Sequence, residues 1–316
     1  MLDARDLYEF SDDAPQVPES LHLIAALSGF TDAGSTLDQV SEQIFKQFDH
    51  QLVLAFDNDE LLDYRSRRPV MFFEKDHITE YDPPSLAVYL VWDEAKQPFL
   101  FLHGYEPDFR WEAFSEAIEL IIEELAVEDF TWVHAIPFPI PHTRELGVTV
   151  SGNRREIIDA VSEWKPQTQV PGNVLHLIEH TLASSNFPTV GYVLLVPHYL
   201  ADSEFPAAGV RALEHIMAYT GLVFGTDELR EANNDFVEKL SRQVSENEDL
   251  QRMIANLEAS YQQTNVGPSK TPLTSKQKLV PDADTLAAEL EDFLAARARN
   301  ADDSAGTGET TGGGQS

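Results

Sequence analysis

Cysteine is absent from all 316 residues of the chain. Without thiols the protein has no disulfide, no thiolate zinc site and no cysteine nucleophile. Long apolar runs are also missing, because no hydrophobic stretch approaches the roughly 20 residues that span a bilayer. Residues 1–18 are acidic and lack the basic-then-apolar pattern of an export signal. From these absences we expect a cytoplasmic protein without a membrane segment.

Basic residues are scarce, with 22 Lys and Arg against 54 Asp and Glu and a net charge of -32. Residues 226–316 hold 9 basic and 17 acidic residues, which leaves 22 − 9 = 13 basic and 54 − 17 = 37 acidic residues in 1–225. The folded body therefore carries most of the negative charge. Nucleic acids and anionic lipids attract Lys and Arg, so we expect no nucleic acid and no membrane surface as a partner.

Apolar strand-like segments alternate with segments of helical periodicity over most of the chain. The predicted strands are 21–30, 52–56, 86–92, 99–103, 130–136 and 189–196. The predicted helices are 37–48, 111–127, 155–164, 173–182 and 207–219. This alternation predicts one α/β domain over residues 1–225, a three-layer α/β/α sandwich with a mostly parallel central sheet.

A helical extension is predicted over residues 226–264, with Thr226 as its N-cap. Residues 227–262 are rich in helix formers and contain no Gly or Pro. Their apolar positions mostly step by three or four, but the pattern is broken between Val244 and Leu250, which argues against a long coiled coil. Packing of a helix or helical hairpin on its own domain is favoured over an intermolecular bundle.

Residues 265–316 have the composition of a linker and a low-complexity tail. Within them, the apolar spacing of residues 284–299 predicts a short amphipathic helix. Because so short a helix is marginally stable alone in water, we expect it to dock on a partner protein.

Four loops are candidates for a functional site. In parallel α/β sheets, ligands bind beyond the carboxyl ends of the strands. That rule selects residues 28–34, 103–106, 136–144 and 196–199, which contain His103, His142 and His198. For His103 and His198, a structural role is favoured over a role as ligands.

The most unusual of these loops is Pro137-Phe138-Pro139-Ile140-Pro141-His142-Thr143-Arg144. Alternate prolines fix an extended backbone and present the residues that follow rigidly. Together, Arg144 as a forked hydrogen-bond donor and His142 as a proton donor would bind an anionic oxygen of a substrate. The alternative is a structural loop in which Arg144 pairs with a carboxylate of the protein.

Asp32 is interpreted first as a helix N-cap, with Gly34 as a close-packing residue, and second as a general base. The loop around it lacks both dinucleotide-binding and phosphate-loop glycine patterns. Gly-x-Ser-x-Gly is absent, so a Ser-His-Asp hydrolase is rejected. We predict no cofactor and assign no metal site, and the sequence leaves open whether a metal is bound.

Three motifs in order resemble the bacterial branch of the proteasome assembly chaperone 2 family. They are Leu27-Ser28-Gly29-Phe30-Thr31-Asp32-Ala33-Gly34, the Pro137–Arg144 stretch, and Val170-Pro171-Gly172-Asn173 before a helix. The resemblance covers roughly residues 20–260. It implies a sandwich related to the nucleoside phosphorylase and peptidyl-hydrolase folds, and homo-oligomers, preferably trimers. Eukaryotic members help to build the proteasome α-ring; the hydrophobic-Tyr-x tail of proteasome-docking relatives is missing here.

Two hypotheses follow. In the first, the protein is an oligomeric binding or assembly factor whose C-terminal helices hold a protein partner. In the second, it is a phosphorylase- or hydrolase-like enzyme whose candidate catalytic residues are Asp32, His142, Arg144, His103 and His198. The sequence leaves open whether the chain is an enzyme at all.

Overall fold

A computed structural model describes residues 3–165 and 167–264. Its strands are β1 Tyr8–Phe10, β2 His22–Ser28, β3 His50–Phe56, β4 Val70–Glu74, β5 His77–Asp82, β6 Leu86–Trp92, β7 Pro98–Tyr105, β8 Asp129–Phe138, β9 Val148–Gly152 and β10 Thr189–Pro197. Its α-helices are α1 Thr36–Gln47, α2 Asn58–Leu61, α3 Trp111–Glu124, α4 Arg155–Val161, α5 Val174–Ser184, α6 Pro206–Thr220, α7 Asp227–Glu246 and α8 Glu248–Thr264. Among the described residues, no helix is long and apolar enough to cross a membrane.

The central sheet has eight strands in the order β1-β3-β6-β7-β2-β8-β10-β9. The inner strands β7, β2, β8 and β10 are mutually parallel. β6 is antiparallel to β7 and to β3, so β3 runs with the inner strands, whereas β1, β6 and β9 run against them. The predicted α/β fold with a mostly parallel sheet is confirmed.

Helices cover both faces of this sheet because the inner strands are apolar on both sides. On β2, Leu23, Ala25 and Leu27 face a core that includes α3 and α5. The alternate residues Ile24 and Ala26 face a second core that includes α1 and α6. The predicted three layers are thus present.

α7 and α8 form a hairpin that packs on its own domain, as the sequence favours. Phe236 of α7 packs against Phe205, with the rings tilted and their centroids 5.4 Å apart, and Leu240 is buried in the second core. The helix breaks at Asn247, whose side chain accepts the N–H groups of Asp249 and Leu250 and so caps α8. This break lies where the apolar spacing fails. The predicted linker, short helix and tail lie outside the described residues.

The β4–β5 hairpin has no counterpart in the sequence prediction. Its two strands pair with each other in a separate two-stranded sheet. Every residue of both strands is exposed, including Met71, Phe72 and Phe73 at 50%, 55% and 62%. The hairpin therefore presents large apolar side chains to solvent.

Candidate functional site

The four candidate loops emerge along one edge of the sheet. β7, β2, β8 and β10 are adjacent and parallel, so their carboxyl ends lie side by side. The terminal pairs Ser28–Tyr105 and Phe138–Pro197 are in register. The loops share this edge because the strands before them share direction and register.

Asp32 lies at the beginning of α1. Its carboxylate accepts the N–H groups of Leu37 at 3.0 and 3.1 Å and of Asp38 at 3.4 Å. Burial raises the pKa of Asp32 to about 6, although these hydrogen bonds act in the opposite direction. Asp32 thus caps the helix, and its carboxyl group also titrates near neutral pH.

The loop after β8 is fixed by buried apolar residues on both sides of its polar residues. Ile140 and Leu146 are buried in the second core. Between them the chain turns, and the Arg144 N–H donates to the Pro141 carbonyl at 3.4 Å. The apolar anchors leave His142, Thr143 and Arg144 at the surface end of the loop.

His142 is fixed by Tyr199, which follows β10. The His142 backbone N–H donates to Tyr199 Oη at 2.7 Å, and a second hydrogen bond of 2.6 Å joins His142 Nδ1 to the same oxygen. Burial lowers the pKa of His142 and raises that of Tyr199 to about 12, so both side chains are neutral at physiological pH. A neutral imidazole that accepts the Tyr199 proton at Nδ1 carries its own proton on Nε2.

Arg144 and Thr143 hold a carboxylate from α8. Arg144 Nε and Nη2 both donate to Glu258 Oε2, at 2.9 and 2.6 Å. Thr143 Oγ1 donates to the other oxygen, Glu258 Oε1. The Arg144 guanidinium also lies 5.8 Å from the centre of the Tyr261 ring. These donors lower the pKa of Glu258.

A groove of about 530 Å³ lies between this loop and helices α6 and α7. Its described lining residues are His142, Thr143, Arg144, Glu145, Leu146, Phe205, Ala207, Val210, Arg211, Glu214, Arg230, Asn233, Asn234 and Val237. The structure thus brings His142 and Arg144 together. Asp32, His103 and His198 are not among these lining residues.

His103 and His198 occupy separate positions along the same edge. The His103 ring packs against Phe45 and Phe101, and burial lowers its pKa to about 4. His198 begins the 3-10 turn His198–Leu200 and packs edge-on against Tyr199, with ring centroids 5.5 Å apart. His198 therefore adjoins the residue that fixes His142, and His103 lies in an aromatic cluster beside α1.

A buried histidine on the α5 side of the sheet, His134, is not among the site residues predicted from sequence. His134 of β8 stacks on Phe30 and is 1% exposed, and neither of its ring nitrogens has a hydrogen-bond partner among the described residues. Glu106, in the predicted loop after β7, accepts the Val174 N–H at the beginning of α5 with its carboxylate, at 3.1 Å. A lone polar residue inside an apolar strand gives no sequence signal, so the sequence places His134 in a strand and predicts nothing more for it.

α5 carries the spacing His176-x-x-x-His180, two histidines one helical turn apart that the sequence prediction does not include. In the structure the two imidazoles differ in environment. His176 is half-buried against Trp132, with Nδ1 2.7 Å from Asn173 Oδ1, whereas His180 is exposed. Among the described residues, no three His, Asp or Glu side chains are grouped as metal ligands.

Comparison with known proteins gives one family match. The model described as the PAC2 family matches residues 26–244. No curated protein matches the chain.

Several solved structures are similar to this chain. A Corynebacterium glutamicum protein of unknown function is 34% identical, with a TM-score of 0.78 over 81% of this chain and 97% of that one. A Mycobacterium tuberculosis protein of unknown function is 36% identical, with a TM-score of 0.75 over 82% and 90%. A proteasome-assembly chaperone homologue from M. tuberculosis is 18% identical, with a TM-score of 0.67 over 74% and 100%, a likeness of fold.

Proposed function

The chain belongs to the PAC2 family, and from this we propose that it is a self-associating, protein-binding assembly factor. We take the trimer as its oligomeric state and the cytoplasm as its location. The chaperone homologue with the same fold supports a role in assembling other proteins. The single observation that carries the proposal is the exposed β4–β5 hairpin.

An isolated two-stranded hairpin is marginally stable in water. This one has only exposed residues in both strands, and they include large apolar side chains, at Val70, Met71, Phe72, Phe73, Ile78 and Tyr81. Exposed apolar patches of this kind are typical of protein interfaces. A partner surface that covers the hairpin would bury these side chains and stabilise its two strands.

Charge permits a second copy of this chain as that partner. Residues 65–82, the hairpin and the segment before it, contain four basic residues, Arg65, Arg67, Arg68 and Lys75, and four acidic residues, Glu74, Asp76, Glu80 and Asp82, and are therefore neutral. The rest of residues 1–225 holds 13 − 4 = 9 basic and 37 − 4 = 33 acidic residues. The neutral, apolar arm is thus a part of the acidic body that a neighbouring copy does not repel.

The base of the hairpin is anchored to the sheet edge. Arg67 forms an ion pair with Asp108 and lies 5.2 Å from the Tyr105 ring centre. Tyr105 and Phe109 are themselves exposed. The apolar surface of the hairpin is therefore joined to a fixed point of the domain, as an interface between copies requires.

Replacing Phe72 and Phe73 together by Ser is expected to dissociate the oligomer. Fully burying one such side chain contributes roughly 1.5–3 kcal/mol, so losing two should weaken each contact at least about 100-fold. Sedimentation velocity over a concentration series measures this. Val170→Ser is the matched control, because Val170 is an exposed apolar residue outside the hairpin.

A wild-type chain that sediments at 35.4 kDa at every concentration would contradict self-association. A double variant that sediments like wild type would show that copies associate through another surface.

The second candidate function is a phosphorylase- or hydrolase-like enzyme. The observation that favours it is Asp32, a partly buried carboxyl group at the strand ends whose pKa is raised to about 6 by desolvation. Such a group suits general acid–base catalysis near neutral pH.

For this candidate, Asp32→Asn is expected to reduce turnover by at least about 100-fold, because the amide cannot transfer a proton but can still cap α1. Nucleoside phosphorolysis and hydrolysis of p-nitrophenyl esters are the assays, and Asp38→Asn is the control. Wild-type rates equal to those of buffer would count against the enzyme.

A further inference from the structure

Thr143 and Arg144 bind the Glu258 carboxylate as they would bind a ligand. One carboxylate oxygen receives two guanidinium N–H groups and the other receives a hydroxyl group. Charge-assisted bonds from an Arg fork are the geometry by which proteins recognise carboxylates. The loop, rigid through its prolines, is therefore a formed carboxylate site that a residue of the same chain fills.

We propose that this site binds an acidic peptide segment of a partner protein, and that Glu258 is displaced when the partner binds. The inference rests on the proposed protein-binding function but not on self-association.

The groove that adjoins the site has a charge suited to such a ligand. Its lining contains Arg144, Arg211 and Arg230 against Glu145 and Glu214, a balance of 3 − 2 = +1 once Glu258 has left Arg144. The whole chain carries -32. A surplus of positive charge beside a carboxylate site would draw an acidic segment to this place on an otherwise repulsive surface.

Two groove residues have polar atoms without a partner among the described residues. Arg211 Nε is a donor and Asn233 Oδ1 is an acceptor, and both atoms are covered. A covered polar atom without a hydrogen bond destabilises the structure. A peptide group presents one acceptor and one donor, so a peptide backbone in the groove would satisfy both atoms once the side chains that cover them turn aside. This favours a peptide over a small free carboxylate.

α8 is attached in a way that permits its displacement. Of its described side chains, Ile254 alone is buried, with 8% exposure, and the rest of its contact is made by partly buried residues, namely Leu250, Met253, Leu257, Glu258 and Tyr261. The break at Asn247 separates α8 from α7. α8 is thereby set to pivot at Asn247 while α7 stays packed on α6.

The test compares full-length wild type with Glu258→Ala and Glu258→Gln. The control is Glu248→Ala, which removes one negative charge from an exposed position of the same helix. The probe is a fluorescent, N-acetylated and C-amidated peptide of alternating Glu and Ala, followed by anisotropy at low ionic strength. A peptide with Gln in place of Glu, and free glutarate as a competitor, identify the source of the carboxylate.

Both Glu258 variants are expected to bind the acidic peptide about 10-fold more tightly than wild type and Glu248→Ala, because no internal carboxylate competes. Adding Arg144→Ala to Glu258→Ala should abolish that gain, and the Gln peptide should not bind. Hydrogen exchange in α8 should also be faster in the Glu258 variants than in the control.

Equal affinity of the Glu258 variants and Glu248→Ala would overturn the proposal, as would binding that survives loss of Arg144. Competition by glutarate as strong as that by unlabelled peptide would overturn the assignment to a peptide. None of these results depends on the sedimentation of the wild type, so failure here is distinguishable from failure of self-association.

Discussion

Gly104→Ala is expected to destabilise the domain by roughly 2–6 kcal/mol, since backbone strain and overpacking each cost about 1–3 kcal/mol. Gly104 lies on β7 with β6 on one side and β2 on the other. Its φ of 136° is a conformation that side-chain-bearing residues rarely adopt, and an added Cβ would lie 2.0 Å from the Ser85 carbonyl oxygen. The sheet must move to admit even one methyl group.

Urea unfolding of the full chain measures this loss through the denaturation midpoint. Gly172→Ala is the matched control, because nothing lies within 4 Å of a Cβ added at Gly172. Equal midpoints for the two variants would show that β7 relaxes around the new methyl group without cost.

The central strands and their helices could be predicted from sequence because their burial is periodic. β2, β6, β7, β8 and β10 carry apolar residues toward both cores, and α1, α3 and α6 carry one apolar face each. β1 and β9 are absent from the sequence prediction because they are short edge strands of 3 and 5 residues, in which burial has little room to repeat. The β4–β5 hairpin is absent as well, because its apolar residues face solvent and so do not follow the burial pattern.

The candidate site was predictable only in part. The position of the four loops follows from strand direction, so the sequence suffices to place His142 and Arg144 on the edge of the sheet. Their partners Tyr199 and Glu258 lie 57 and 114 residues further along the chain, and no local pattern connects them. Of the two alternatives for Arg144, the structure shows the ion pair with a carboxylate of the protein, on the lining of a groove.

α1 is capped by Asp32 and not by the residue that directly precedes the helix. The residue directly before α1 is Ser35, and its φ of 50° leaves it without a side-chain capping bond. Gly34 also has a positive φ of 74°, so the chain turns sharply and the Asp32 carboxylate reaches the helix from further back. Asp32 caps α1, as the sequence predicts. The turn that brings its carboxylate to the helix is not predictable from sequence, because it depends on the close packing of Gly34 against Val196 and Phe205.

His134→Phe is expected to make the fold less sensitive to acid. Burial lowers the pKa of His134 from 6.5 to about 4 in the folded state. Between these values the unfolded chain binds a proton that the folded chain does not, so stability is fully present above pH 6.5 and falls as the pH drops towards 4. The loss from this histidine is roughly 3 kcal/mol, at about 1.4 kcal/mol per pH unit.

Other groups change stability over the same range, so the readout is the difference between wild type and variant. His103 and His215, whose pKa values are also lowered to about 4 by burial, act with His134, whereas the raised pKa of Asp32 acts against it. Urea unfolding at pH 7 and pH 4.5 should show a smaller loss in His134→Phe, while the exposed control His180→Phe should follow wild type. An unchanged loss in His134→Phe would mean that the His134 ring is hydrated in solution or bonded to a group that keeps its folded pKa near 6.5. Because the comparison is made across pH, any packing cost of the larger Phe ring cancels, and the result reports the protonation of His134 alone.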